Sequence, residues 1–170
     1  MIPTPERRAF EAFVGESSTR LVRTAYLLCG DRGHAEDLVQ TALLRTARHW
    51  RAARRQPHAY ARAVVVNLAK DRWRALDRRV PEVSLAASVD LATACDGTAD
   101  LLDRHAMVAA FAGLPEGQRT VLVLRFFEDL SVEDTAKAIG CTTGTVKSQT
   151  SRALVALRAI LDTKETSHAH

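Results

Sequence analysis

The chain has 170 residues, 46% of them hydrophobic, with 24 Lys and Arg against 20 Asp and Glu. That length predicts one domain or two small ones, and that apolar fraction excludes global disorder. No apolar run is long enough to span a bilayer and no N-terminal signal with a hydrophobic centre is visible, so the expected compartment is the cytoplasm. The charge is uneven: residues 1–80 hold 16 basic and 8 acidic groups, residues 81–113 hold Arg104 against five acids, and residues 114–170 hold seven of each. Such asymmetry points to a partner rather than to a fold.

Taken in order, Thr4-Pro5 is a helix start, with proline where the missing N–H costs nothing. Phe10, Phe13 and Val14 form an apolar stripe, and residues 15–18 are expected to break it. A second helix from about Ser18 buries Leu21, Val22, Ala25, Tyr26 and Leu28 and stops at Gly30, with 31–33 as a turn. The third runs from about His34 to Trp50, with Ala35, Leu38, Val39, Ala42, Leu43, Thr46 and Ala47 inward and Glu36, Asp37, Gln40, Thr41 and Leu44 on its outer side. An exposed leucine among polar groups suits a partner surface better than plain solvation.

Residues 51–56 read as a basic loop closed by Pro57. The helix that Pro57 opens turns Tyr60, Val64, Val65 and Leu68 inward and continues to Arg78-Arg79. Arg54, Arg55, Arg62, Arg72, Arg74, Arg78 and Arg79 can neutralise several phosphates, and Tyr60 and Trp73 could offer stacking faces, although such aromatics are more often core. The acidic stretch 81–103, with Glu82, Asp90, Asp96, Asp100 and Asp103, has no convincing period and reads as a linker. A helix resumes at Arg104 with Met107, Val108 and Phe111 on one side, Leu114-Pro115 breaks it, and the next buries Val121, Leu122, Leu124 and Phe126. Residues 163–170 look like a frayed tail.

The stretch 130–161 carries the sharpest signal. Ser131 with Asp134 resembles a capping box, Gly140 supplies a left-handed stop, and Thr142 or Thr143 caps the next helix. Val146, Thr150, Ala153, Leu154, Leu157 and Leu161 recur at helical steps and are expected inside; Thr143, Thr145, Lys147, Ser148, Gln149 and Arg152 are left outside. A short helix, a glycine turn and a second helix with a polar, basic-tipped start form a helix-turn-helix. A plain helical hairpin would show the same caps, but no acid occurs between Thr142 and Ile160, as a phosphate-facing surface requires.

No strand pattern appears, so the fold class is all-α: two small helical domains, 1–80 and 104–170, joined by a flexible acidic linker, 81–103, with a C-terminal helix-turn-helix. Cys29, Cys95 and Cys141 show no paired spacing; neither a disulfide framework nor a metal site is expected, and Cys29 and Cys141 read as small apolar filler. No cofactor is implied, because no Gly-rich phosphate loop or nucleophile elbow exists, and the chain is not read as an enzyme.

Four motifs in order resemble the extracytoplasmic-function sigma factors, the small two-domain members of the sigma-70 family, and an actinobacterial-type subgroup in particular. They are Ala35-Glu36-Asp37-Leu38-Val39-Gln40; Asn67-Leu68-Ala69-Lys70-Asp71-Arg72-Trp73-Arg74; Leu114-Pro115 with Gln118-Arg119, Val121-Leu122 and Leu124-Arg125; and Gly144-Thr145-Val146-Lys147-Ser148 with Ser151-Arg152-Ala153 and Leu157-Arg158. The resemblance covers residues 10–161. It implies docking on core RNA polymerase through Asp37, Leu38, Gln40, Thr41 and Leu44. It implies opening and reading of the minus-ten promoter element by the 51–56 loop and the 67–74 face, with Arg54, Arg55, Asn67, Lys70, Asp71 and Arg74 at the DNA. It implies duplex reading of the minus-thirty-five element by Thr142, Thr143, Thr145, Lys147, Ser148, Gln149 and Arg152. The acidic linker would thread the channel that nascent RNA later occupies. Partners are then core RNA polymerase and promoter DNA, an anti-sigma factor is left open, and no membrane is involved. Thr41 stands where the family commonly has an acid, and Gln149 where it commonly has arginine. Two other classes stay in view: a one-piece regulator with a C-terminal helix-turn-helix, which leaves the basic N-terminal block without a use, and a helical adaptor for protein alone, which leaves the acid-free helix without one.

Overall fold

The computed structural model describes the backbone of residues 4–79 and 98–167, and side chains within 4–78 and 104–163. Every element among them is helical. The chain divides into two compact units, Met1–Pro81 and Glu82–His170. The stretch 80–97, which holds most of the expected linker and Cys95, lies outside the described residues, as does its proposed path through polymerase.

In the first unit α1 spans Thr4–Cys29 without the expected break. Gly15 faces open space, so it costs only about 1 kcal/mol of helix propensity, and Ser18 Oγ donates back to Val14 O at 2.5 Å. Burial of Phe13, Ser17, Leu21, Thr24, Ala25, Leu27 and Leu28 along one face outweighs that loss. Gly30, at φ 74°, ends the helix in the left-handed region that a side chain resists. Asp31 then caps α2, Arg32–Arg48, its Oδ1 accepting from His34 N at 2.8 Å, so Arg32 and Gly33 belong to the helix rather than to a turn. α2 buries Ala35, Val39, Ala42 and Thr46, with Leu38, Leu43 and Ala47 half-buried; its small residues let it lie close to α1 and α4.

Part of the expected 51–56 loop is a single helical turn, α3, Trp50–Ala53; only 54–56 form a turn before Pro57 opens α4, Pro57–Arg79. Trp50 is the reason. It is buried against Phe10, edge to face at 5.2 Å, and against Phe13 at 5.9 Å, which ties the turn to α1. The fully buried stripe of α4 is Ala61, Val65, Val66 and Ala69, while Tyr60, Val64, Leu68 and Trp73 are half-buried, a phase slightly rotated from the expected one.

In the second unit α5 spans Thr98–Ala112, starting earlier than the expected Arg104. Its last carbonyl, Ala112 O, and that of Leu114 beyond it are closed by Arg119 of α6, Glu116–Leu122, at 2.9 and 3.0 Å. α6 continues into a π-turn at Val123–Phe127, with Glu128 N donating to Val123 O at 3.0 Å and Asp129 left-handed at φ 53°. One extra residue in that turn rotates Phe126 out of the core, so it is 53% exposed instead of buried. Phe127 lies edge to face with Phe111 at 5.6 Å.

The helix-turn-helix follows. Ser131 Oγ accepts from Asp134 N at 3.0 Å and caps α7, Val132–Ile139; the Asp134 carboxylate takes the Ser131 hydroxyl at 2.9 Å rather than reaching the backbone. Gly140, φ 70°, and Cys141 N, donating to Ala136 O at 3.0 Å, close the helix as a Schellman turn. Thr142, not Thr143, caps α8, Thr143–Ser167, through Oγ1 and Thr145 N at 3.1 Å. Val121, Ala136 and Val146 form the core of the motif, with Val132, Ile139 and the half-buried Cys141 around it. Val146 and Ala153 are fully buried, but Leu154, expected inside, is 46% exposed. α8 also runs on to Ser167, past the expected start of the tail; residues 168–170 lie outside the described set.

Thr135 is fully buried with its hydroxyl unpaired. Thr135→Val, which keeps the shape and removes the orphaned donor, is expected to stabilise the second unit by about 1 kcal/mol. Thermal unfolding of the full chain reads this as a higher midpoint; a lower one would show that the hydroxyl matters to the fold.

Candidate nucleic-acid interface

α8 presents its N-terminal half to solvent. Thr142, Thr143, Thr145, Lys147, Ser148 and Arg152 are exposed. Thr142 and Thr145 share a hydroxyl bond at 2.9 Å and Ser148 Oγ donates to Thr145 O at 3.1 Å, which leaves Lys147 and Arg152 as the cations on this face of the helix start. Gln149 departs from the rest. It is half-buried, its amide carbon and nitrogen both 3.8 Å from the point where a Cβ on Gly117 of α6 would stand.

In the first unit an open cleft of about 520 Å³ lies between α1 and the turn into α4. Its lining combines Phe13 and Trp50, both nearly buried, with the carboxylate of Glu16 and the polar and cationic groups of Arg54, Gln56, His58 and Arg62. Arg54 and Gln56 come from the expected loop. Trp50, Phe13 and His58 were not singled out; an aromatic directly before a basic run was the only available signal. Arg55 is exposed outside that lining.

Asn67, Lys70, Asp71 and Arg74 share one face of α4 at i, i+3, i+4 and i+7. Asn67, Asp71 and Arg74 are exposed, Lys70 is half-buried, and Arg74 Nη1 stands 3.8 Å from Asp71 Oδ1. Asn67 lies ten residues into the helix, about 15 Å from its start, so this face adjoins the cleft along α4 rather than lining it. On α2, Asp37, Gln40, Thr41 and Leu44 share a face by the same spacing. Leu44 is 61% exposed, Asp37 and Gln40 are exposed, and Thr41 and Leu38 are half-buried at its edge. Among the described residues no three His, Cys, Asp or Glu side chains gather as metal ligands, and no helix is long and apolar enough to cross a membrane.

Residues 13–79 match the family model of sigma-70 region 2, and residues 104–157 that of sigma-70 region 4. The chain belongs to the extracytoplasmic-function sigma factors. This sigma factor is 39% identical over 158 residues to the RNA polymerase sigma-E factor of Streptomyces avermitilis, covering 92% of this chain and 87% of that one. It is 30% identical to the ECF RNA polymerase sigma factor SigK of Mycobacterium ulcerans, over 92% and 88% of the two chains. Among solved structures, the sigma factor RpoE of Bartonella quintana, in complex with the anti-sigma factor NepR, is similar at a TM-score of 0.65 and 28% identity, over 89% of this chain and 98% of that one. The actinobacterial relatives accord with the subgroup that the motifs resemble. A sigma factor confers promoter specificity on RNA polymerase at initiation, and that is the function of this chain.

Proposed function

We propose that the three exposed surfaces divide that function. The α2 face with Asp37, Gln40, Thr41 and Leu44, flanked by Leu38, docks on core RNA polymerase. The cleft beside Arg54, with Arg55 and the Asn67, Lys70, Asp71 and Arg74 face, opens and reads the minus-ten element. α8, with Thr142, Thr143, Thr145, Lys147, Ser148 and Arg152, reads the minus-thirty-five element as duplex. Residues 1–80 and 104–170 are then the two working domains. The observation that carries this reading is that one chain holds two separate cationic helical surfaces, one beside an open cleft and one on a helix-turn-helix. A single-site regulator needs only the second.

The protein carries out no bond chemistry; polymerase does, in the cytoplasm, where this factor works. An anti-sigma factor is included among its partners on the strength of the RpoE–NepR complex. Run-off transcription tests the central claim: the chain with core enzyme initiates at a defined start, whereas a regulator binds its operator without core and adds no start.

Lys147→Ala is expected to weaken promoter binding on every upstream sequence alike. It should also flatten the dependence of log K on log salt by about 0.9, the share of one phosphate. Titration at several salt concentrations checks this, and a changed base preference with an unchanged slope would move Lys147 from phosphate to base.

A further inference from the structure

α8 reads DNA with one side and leans on α6 with the other, and Gln149 lies on the second side. It stands three residues after Val146 and four before Ala153, both fully buried, so helical geometry sets it on the inner stripe. Its exposure agrees: Lys147, Ser148, Ser151 and Arg152 are exposed around it, and Gln149 is not. What it leans on is Gly117, the second residue of α6. The carbon and the nitrogen of the amide are both 3.8 Å from the place of the absent Cβ, so the amide lies flat beside the space that the glycine leaves open rather than pointing away from α6. Val146, one turn earlier, packs with Val121 of α6, so Gln149 extends the same line of contact.

A glutamine that reads a base must extend its amide into the groove to donate and accept at one base edge. Here the amide lies beside α6 at position 117, where a methyl would sit at ordinary contact distance but a larger side chain would compete for the same space.

We propose that Gln149 is a positioning residue that seats the reading helix on α6 at Gly117, and that Lys147, Ser148 and Arg152 do the reading. This rests on the assignment of α8 to the minus-thirty-five element. It predicts that length and packing at position 149 matter, while the amide's donors and acceptors do not.

The experiment uses the full chain with core polymerase and a set of promoters, each with one minus-thirty-five base pair replaced. Gln149→Met keeps length and bulk and removes the amide. It is expected to stay within about threefold of the parent on every promoter, with the same order of preference. Gln149→Ala loses the seat and falls by a common factor on all of them. Gly117→Leu, which fills the space beside the amide, does the same, and Gln149→Ala on that background recovers much of the loss because the leucine then occupies the vacated space. The inference is overturned if Gln149→Met flattens discrimination at one base pair by about tenfold or more, as loss of a base reader would. It is overturned equally if Gly117→Leu is folded and binds like the parent. Should Gly117→Leu fail to fold, the methionine variant decides alone. A parent that binds all promoters equally would instead refute the assignment of α8 itself.

Discussion

Leu44→Asp combined with Asp37→Arg is expected to abolish association with core RNA polymerase and to leave the helical content of the protein unchanged. Leu44 is 61% exposed and Asp37 is exposed, so neither change touches the packing of α2, which rests on Ala35, Val39, Ala42 and Thr46. In a complex the balance reverses. Burying a leucine contributes about 2 kcal/mol, and burying an unpaired carboxylate in its place costs several more. Reversing the charge two turns along the same face turns a favourable approach into a repulsive one. A combined loss of about 4 kcal/mol is a thousandfold in affinity, enough to remove co-elution at micromolar concentrations. Size-exclusion co-elution with core enzyme, beside circular dichroism of the free variant, reads both halves. Normal co-elution would show that polymerase docks elsewhere.

Exchange of residues 54–56 for those of a relative is expected to change which minus-ten bases are preferred and to leave the minus-thirty-five preference alone. The physical ground is the cleft that this turn borders. Taking a base out of the stack costs a few kcal/mol, which contacts in the cleft have to return. Phe13 and Trp50 lie in the lining but are only 6% and 5% exposed, so what the cleft offers a base is chiefly Arg54, Gln56, His58 and Arg62. Asn67→Ala, farther along α4, is expected to reduce open complexes severalfold and hardly to alter closed ones, since its amide has a single-stranded base edge to meet only after melting. Templates with a pre-formed mismatch bubble separate the two effects: they rescue a variant that fails to melt and not one that fails to read. If the exchange leaves downstream preference unchanged on duplex and bubble alike, the cleft captures no base and the arginines around it only hold phosphate.

What could be read from the sequence was local chemistry. Gly30, Ser131 and Gly140, and Thr142 do what their side chains and backbone freedom favour wherever they sit, whereas Asp31, read as part of a turn, caps α2. Position within a helix was less legible, because it depends on what lies alongside. Gly15 reads as a break only if its helix has no buried face to hold it together, and α1 has one. Phe126 and Leu154 read as core by period, yet a π-turn rotates the first outward and the packing of α8 on its neighbours leaves the second half in water. Gln149 could have been assigned inward from its spacing to Val146 and Ala153; its polarity argued the other way. The cleft was out of reach, since it joins Phe13, Trp50 and His58 from three helices, and no motif spans them. The grouping of Asn67, Lys70, Asp71 and Arg74 on one face, by contrast, follows from spacing alone.

The π-turn at Val123–Phe127 has a consequence for how this unit can change length. It is a place where the chain holds one residue of slack: the backbone bond from Glu128 to Val123 closes over five residues where four would do. Deleting one residue there lets the segment relax into ordinary helix and hand the chain on to Ser131 with little change of course. The same deletion inside α7 would rotate everything after it by about 100° and take Ala136 away from Val121 and Val146. Single-residue insertions and deletions among kindred chains should therefore gather at 123–127 and be absent from 132–139, so that the helix pair facing DNA keeps its geometry while the segment feeding it varies in length.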